Sequence, residues 1–273
     1  MTATSKQQEF ERLHQRGCFV IPNPWDAGSA RFLASLGFKA LATTSSGFAW
    51  TLGRPDNGVS LDEALGHLTQ VAAAVAIPVN ADFEGGFAVA PDGVATNVAK
   101  AVATGIAGIS IEDSTGNTND PLFDFALAVD RIKAARSAID RSGTGVLLTG
   151  RSEGFIVGRP DLTETIRRLT AYAVAGADCL YAPGIRTPAD IAAVVSAVSP
   201  KPVNVLVGSD FTTVEALAKA GVRRISVGGA LARAAWTGFM AAAKEIAVEG
   251  TFKGLAGAVP FSVIDDSFKT PKP

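Results

Sequence analysis

Ile77-Pro78-Val79-Asn80-Ala81-Asp82-Phe83-Glu84-Gly85-Gly86 passes from an apolar run into acids and glycines within ten residues. An apolar run this short, closed by turn residues, reads as a strand buried on both faces. The pattern recurs along the chain. Strands are expected at Cys18–Ile21, Ala40–Thr44, Ile77–Ala81, Gly108–Ile111, Val146–Thr149, Cys179–Tyr181, Val203–Val207 and Ile225–Val227, each followed by a helical pattern. Ser60-Leu61-Asp62-Glu63 and Thr212-Thr213-Val214-Glu215 fit capping boxes, and Asp161 and Glu164 share that spacing. Thr187-Pro188 places a cap before a proline at the first helical position, and Gly37, Gly176 and Gly221 end helices.

Eight strands alternating with helices in 273 residues, close to the roughly 250 of a typical α/β barrel, predict a single (β/α)8 domain. It spans residues 1–273, with an N-terminal helix and a short, apolar C-terminal tail. An open doubly wound sheet is the alternative. Its first strand usually leads into a glycine-rich dinucleotide turn, whereas here it leads into Pro22-Asn23-Pro24-Trp25-Asp26.

Composition narrows the function. A hydrophobic content of 47%, a charged content of 19% and a net charge of -1 suit a buried globular core. Without a lysine-arginine block, a nucleic-acid groove is not expected. The apolar run at Val71–Val79 is far shorter than the ~18 residues of a membrane span. The first eight residues lack the apolar core of a signal peptide, and Cys18 and Cys179 read as buried reduced thiols. A cytoplasmic enzyme is the expectation.

All strand C-termini of such a fold lie on one face, so strand-end residues converge on one pocket. Asn80 and Asp82 point the same way from a strand, and an oxygen pair on one face suits Mg²⁺; Glu84 begins a loop on the same rim. A capped loop with solvated acids is the other reading. Glu112-Asp113 ends the fourth strand, as ligands or their orienters or as a salt bridge in the barrel mouth. Arg151 ends the fifth, where a guanidinium can grip a carboxylate or phosphonate or pair with Glu112 or Glu153; the two roles are compatible. Thr43-Thr44-Ser45-Ser46-Gly47 offers N–H and hydroxyl donors to an anion. Gly53-Arg54-Pro55-Asp56-Asn57-Gly58 is either a plain turn or a loop bringing another acid. His14 and His67 sit in helical stretches, so a histidine base, a zinc tripod and a Ser-His-Asp triad are not expected.

Taken together these residues resemble the isocitrate lyase / phosphoenolpyruvate mutase superfamily, in order from Asn23-Pro24-Trp25-Asp26 to Val227-Gly228. Asn80-Ala81-Asp82 is similar to its D-A-D metal motif, Ile111-Glu112-Asp113 to its I-E-D motif and Gly53-Arg54-Pro55-Asp56 to its G-x-P-D acid. Thr44-Ser45-Ser46-Gly47 is similar to its carboxylate-binding turn, Gly150-Arg151 to its substrate arginine and Pro202-Val203-Asn204 to its late-strand asparagine. The resemblance implies Mg²⁺, with Mn²⁺ as the alternative, holding a small anionic 2-oxo acid or its enolate. Asp82 would carry the metal, with Asp56, Asn80, Glu84 and Glu112 around it or its waters. Trp25, Ser45, Ser46, Gly47, Arg151 and Asn204 would bind substrate; Arg151, Glu112, Asp56 and Tyr181 would serve the chemistry. A homo-oligomer, dimer or tetramer, with an exchanged C-terminal helix is also implied.

The departures are informative. The family's lyases carry K-K-C-G-H after I-E-D; this chain reads Ser114-Thr115-Gly116-Asn117-Thr118-Asn119, with no thiol acid. The mutases carry K-T-N, and the lysine is missing here. Asn80 stands in place of an aspartate, and Tyr181-Ala182-Pro183-Gly184 replaces the lyases' glutamate. The expectation is a Mg²⁺-dependent carbon–carbon lyase or decarboxylase acting through a stabilised enolate, with reprotonation from water or Tyr181. P–C chemistry on phosphonopyruvate or phosphoenolpyruvate and a metabolite-binding barrel without turnover are the alternatives.

Overall fold

The structure, a computed structural model, describes residues 5–269. Its strands are β1 (Phe19–Ile21), β2 (Leu41–Ala42), β3 (Val79–Asp82), β4 (Gly108–Glu112), β5 (Leu147–Arg151), β6 (Cys179–Tyr181), β7 (Val203–Leu206) and β8 (Arg224–Ser226). All pairings are parallel, in the order β1-β8-β7-β6-β5-β4-β3-β2. Across the remaining seam the Ala42 N–H donates to the Pro22 carbonyl at 3.1 Å, and Asn23 Nδ2 donates to the Thr43 carbonyl at 2.9 Å. The sheet is thus a nearly closed (β/α)8 barrel.

Around it run α1 (Ser5–Gln15), α2 (Ala27–Ser35), α3 (Ser45–Thr51), α4 (Leu61–Ala74), α5 (Pro91–Val102), α6 (Phe125–Ser142), α7 (Leu162–Val174), α8 (Pro188–Val198), α9 (Val214–Lys219), α10 (Ala230–Glu249) and α11 (Phe261–Phe268). Ser60 and Glu63 cap α4 reciprocally, and Thr187 caps α8 ahead of Pro188, as expected. Gly37, Gly176 and Gly221 take φ of 87°, 103° and 84°, left-handed values that glycine adopts without a Cβ clash.

Several details differ from the sequence reading. The cap of α9 is Thr213, whose side chain accepts from the Ala216 N–H, so the box at Thr212 is displaced by one residue. Glu164 turns away from its cap to pair with Arg167 and Arg168. Residues 45–47, read as a turn, open helix α3 under a Thr44 cap. Asp26 and Ser29 form a capping box that was not anticipated. Cys18 is only half-buried, while Cys179 is buried.

The apolar core lies between strands and helices: Ala81, Ile109, Ile111, Leu148, Leu180 and Val205 face outward onto the helix ring. With a side-chain period of two, the alternate residues face inward, and most are polar: Asn80, Ser110, Thr149, Asn204, Arg224 and Ser226 are all buried. Barrel interiors are more often layered with branched apolar side chains, so this polarity needs a chemical reason. Helix α1 closes the floor. Phe10 is fully buried there, and Gly108 leaves it space, since a Cβ at that position would overlap the Phe10 ring and come within 2.6 Å of Asn80 Oδ1. Helix α10 departs from the ring: only Ala232 is buried, and Trp236, Phe239 and Met240 are exposed. Among the described residues no helix is long and apolar enough to cross a membrane.

His14, also on α1, is held by the floor. Its Nδ1 lies 2.8 Å from the Phe10 carbonyl, so it donates there, and its Nε2 lone pair faces Arg224 Nη1 at 3.4 Å. Burial first, then the Arg224 charge, push its pKa down to about 3. A depressed folded-state pKa contributes stability above the unfolded value near 6.5, and that stability is lost as pH falls toward the folded value. Between pH 7 and pH 5 this one group removes about 2 kcal/mol of stability. Urea unfolding at both pH values is expected to show the loss in the wild type and to show it reduced in His14→Gln.

Candidate functional site

A cavity of about 290 Å³ opens at the C-terminal ends of the strands, the face on which barrels of this kind carry their sites. Arg151, at the end of β5, is its centre. Its Nη1 donates to Asp82 Oδ1 at 2.7 Å, its Nη2 lies 3.1 Å from Glu112 Oε2, and its Nε donates to Glu153 Oε1 at 2.8 Å. Three strand ends are thereby tied to one guanidinium. Burial opposes the Arg151 charge, but Glu153, Glu112 and Asp82 outweigh it and hold its pKa well above the ordinary arginine value. For the acids burial wins instead, which disfavours their charged form. Burial pushes Glu112 and Glu153 up against the opposing pull of Arg151.

Two more carboxylates join this group. Asp56, on the loop after α3, lines the cavity, and burial followed by the Asp82 charge raises its pKa. Burial, then Asp82 and Asp56, push Glu84 up to about 7. Glu84 sits beside the cavity rather than on its wall, in a narrow void shared with Asp82, Ser45 and His67. His67 stacks on Phe48 with ring centroids 3.9 Å apart.

The structure brings Asp56, Asn80, Asp82, Glu112, Arg151, Tyr181, Ser46 and Asn204 to the cavity wall. It leaves Trp25, Ser45, Gly47 and Glu84 off that wall. The Ser45 N–H and Oγ are committed to Asp82 Oδ2, both at 2.9 Å, so this donor pair orients a carboxylate of the protein. Gly47 packs tightly: a Cβ there would come within 2.6 Å of Thr44 Cγ2 and 3.0 Å of Trp25 Cβ. The Asn204 amide bonds Arg224 and Ser226.

Four residues were missed or underrated. Glu153 was read only as a partner for Arg151, yet it is buried on the cavity wall. Asp113 was read with Glu112 as one acidic strand end. It faces away from the cavity, accepting from the Glu153 N–H, from Tyr172 Oη and from Arg168 Nη1. Arg224 and Ser226 line the cavity, but the expected strand began at Ile225. The alternation around Ile225 was the available signal, since it turns residues 224 and 226 inward.

Which group could these residues hold? The acids supply hard oxygens in excess of the two wall guanidinium groups, Arg151 and Arg224, and the mutual repulsion of Asp82, Asp56 and Glu84 is one that a small cation relieves. The buried Asn80 Oδ1 has no hydrogen-bond partner, leaving an acceptor unused. Among the described residues no three His, Cys, Asp or Glu side chains form a ready cation cage. The donor set therefore fits an ion that keeps several waters and takes few protein ligands, the habit of Mg²⁺.

Comparison with known proteins shows what the chain as a whole resembles. The profile of the family described as phosphoenolpyruvate phosphomutase matches residues 10–247. A protein of Burkholderia cenocepacia J2315, provisionally assigned as a lyase/mutase, superposes with a TM-score of 0.94 at 47% identity, covering 98% of this chain and 97% of that one. The uncharacterised protein Rv1998c of Mycobacterium tuberculosis (strain ATCC 25618 / H37Rv) is 34% identical over 80% of this chain and 81% of its own length. The oxaloacetate decarboxylase of Bradyrhizobium diazoefficiens is 31% identical over 66% of this chain and 64% of its own length, so the match spans just under two thirds of that enzyme.

Proposed function

The chain belongs to the phosphoenolpyruvate phosphomutase family, and from that membership we propose that it is a Mg²⁺-dependent enzyme that breaks a carbon–carbon bond of a small 2-oxo carboxylate, with decarboxylation of an oxaloacetate-like substrate as its reaction. One observation carries the choice. From the loop after Glu112, only Ser114 reaches the cavity wall, while the buried phenol of Tyr181 stands there beside Arg151. A cleavage whose leaving group is CO₂ needs an electron sink and one proton for carbon, and no loop thiol. The similarity to an oxaloacetate decarboxylase supports the same reading.

Asp82, Glu112 and Asp56, with Asn80 and Glu84 behind them, would hold the cation. When bound it supplies Lewis-acid charge at the 2-oxo oxygen, where negative charge develops. Arg151 places fixed positive charge beside the substrate carboxylate. Its three acid partners hold the guanidinium in place, so little reorganisation accompanies the reaction. The apolar side chains of Ile156, Val157, Pro183 and Leu206 complete the wall and limit water around the charged centre, which strengthens those interactions.

The test is pyruvate release from oxaloacetate, phosphonopyruvate and methylisocitrate, with Mg²⁺ and again with EDTA, each corrected for the enzyme-free rate. The expected result is metal-dependent release from oxaloacetate, reduced roughly 10²–10³-fold in Asp82→Ala, the size typical of losing one charge-stabilising group. Release with inorganic phosphate from phosphonopyruvate would move the enzyme to P–C chemistry. Binding of oxalate equal with and without Mg²⁺, and no turnover, would make it a metabolite-binding barrel.

A further inference from the structure

The cavity has two tiers. Arg151 and its acids stand around the upper one. Below them the wall is made by Asn80, Ser110, Asn204 and Arg224, each buried and each two residues before the end of its strand. Of these four, Arg224 alone carries a charge. Its Nε donates to Asn204 Oδ1 at 2.8 Å and its Nη2 to Thr149 Oγ1 at 3.0 Å, while its Nη1 faces the His14 Nε2 lone pair at 3.4 Å. All three acceptors are neutral, and among the described residues no carboxylate pairs with Arg224.

The two arginines of the wall are therefore in opposite situations. Three acids answer the charge of Arg151. None answers that of Arg224, and a buried charge without a counter-charge is costly. A guanidinium carries five N–H groups and accepts nothing, so Arg224 keeps one N–H on each terminal nitrogen for a further acceptor. The rest of the tier offers an anion little. Ser110 Oγ donates to the Ala81 carbonyl at 3.1 Å, and Asn80 Nδ2 donates to the same oxygen at 3.0 Å. A carboxylate needs two donors in one plane, which a guanidinium supplies. A phosphoryl group has three oxygens to satisfy and would go short.

We propose that Arg224 binds a carboxylate of the substrate beyond the one beside Arg151, and that this carboxylate stays on the product. The inference rests on the C–C cleavage reading above and names its substrate class. A guanidinium that gripped the departing carboxylate would stabilise the ground state and lose its partner as CO₂ formed, which raises the barrier. The group held by Arg224 is therefore a retained one. The substrate is a 2-oxo acid whose C3 carries the departing carboxylate and a short arm that ends in another. The bond from C3 to the departing carboxylate breaks, and CO₂ leaves without the electron pair. The pair becomes the C2=C3 bond of the enolate as the 2-oxo oxygen takes the charge. C3 then takes one proton from solvent, giving a 2-oxo diacid whose far carboxylate still faces Arg224. The polar interior of the barrel has its chemical reason in this site. Asn204 and Thr149 hold the guanidinium in place before substrate arrives, and His14, kept neutral by burial and by Arg224, adds no second charge.

Calorimetry with Mg²⁺ present tests the site on two pairs of ligands, 2-oxoglutarate against 2-oxovalerate and 2-oxoadipate against 2-oxohexanoate. Each pair shares its carbon count and differs only in the far carboxylate. The wild type is expected to prefer the diacid about 10²-fold in at least one pair, as for a buried charge pair. Arg224→Gln keeps a donor for Asn204 but loses the charge. Its preference should vanish, and the diacid should no longer raise its melting temperature. Arg224→Lys should recover part of the preference, since an ammonium keeps the charge without the fork. A wild type without preference in either pair overturns the site, and that comparison needs no variant to fold. A preference that survives in folded Arg224→Gln overturns the role of Arg224. CO₂ release from oxaloacetate and from its 3-carboxymethyl derivative then separates the two readings. A higher kcat/KM for the derivative supports the substrate class. Release from oxaloacetate with no gain from the derivative overturns that class and leaves C–C cleavage standing. Release from neither overturns the cleavage reading and the class with it, while a diacid preference that depends on Arg224 would still support the carboxylate site.

Discussion

Arg151→Met is expected to lose kcat/KM by roughly 10²–10³-fold, equivalent to about 3–4 kcal/mol. The methionine keeps much of the arginine's length and none of its donors. Asp82, Glu112 and Glu153, now 2.7–3.1 Å from the guanidinium, would face one another without it, and the substrate carboxylate would enter a wholly negative cavity. Stability should fall as well, since removing one partner of a buried ionic cluster costs about 3–5 kcal/mol. Arg151→Lys separates the two effects. An ammonium restores the charge at one point but cannot reach three acids in one plane, so urea unfolding should recover most of the stability while kcat/KM stays low. Arg151→Lys with near wild-type kcat/KM would refute the requirement for the three-pronged geometry.

The second large effect is expected one layer further out, at Asp113. Its Oδ2 accepts from Tyr172 Oη at 2.6 Å and Arg168 Nη1 at 3.2 Å, and its Oδ1 accepts from the Glu153 N–H at 2.8 Å. All three neighbours are donors, so only a full carboxylate satisfies them. Burial and the Asp113 charge hold the Tyr172 phenol protonated, well above its usual pKa. Asp113→Asn has the same shape but must present an NH₂ to at least one of these donors, and it leaves Arg168 with Glu164 as its carboxylate partner beside the Phe123 carbonyl. The expected loss in urea unfolding is about 3–5 kcal/mol, against about 1–3 kcal/mol for Tyr172→Phe, which leaves the carboxylate paired. Because Asp113 holds the backbone of Glu153, and Glu153 holds Arg151, a raised KM should accompany the lost stability. A free energy of unfolding within 0.5 kcal/mol of wild type, the usual range for neutral surface changes, would show that the network carries no stability.

Much of the barrel was legible because its strands are short apolar runs. All eight expected ranges overlap the observed strands by at least two residues, and β6 coincides with Cys179–Tyr181. The errors lie at boundaries. Apolar content does not mark the end of a strand whose inward residues are polar, so β3, β4 and β5 continue into Asp82, Glu112 and Arg151, and β8 starts one residue early, at Arg224. Residues 45–47 were read as part of a turn by their resemblance to a carboxylate-binding turn; Ser-Ser-Gly is also poor in helix formers, yet the Thr44 cap starts a helix there. Local propensity gave way to a side chain that satisfies orphan N–H groups.

The amino-acid sequence alone determined the architecture and which strand ends carry acids, amides and the arginine, because periodicity and strand-end chemistry are local properties written into consecutive residues. Only the tertiary structure decided how those groups are shared. It placed Asp82, Glu112 and Glu153 on one guanidinium, turned Asp113 away from its neighbour Glu112 toward α7, and linked Arg224, Asn204 and Ser226 by hydrogen bonds inside the barrel. Such pairings depend on distances across the barrel between residues up to 69 positions apart, as for Asp82 and Arg151, and on which donor has no other acceptor. No linear pattern encodes that competition, because it is settled only when burial removes water as the alternative partner.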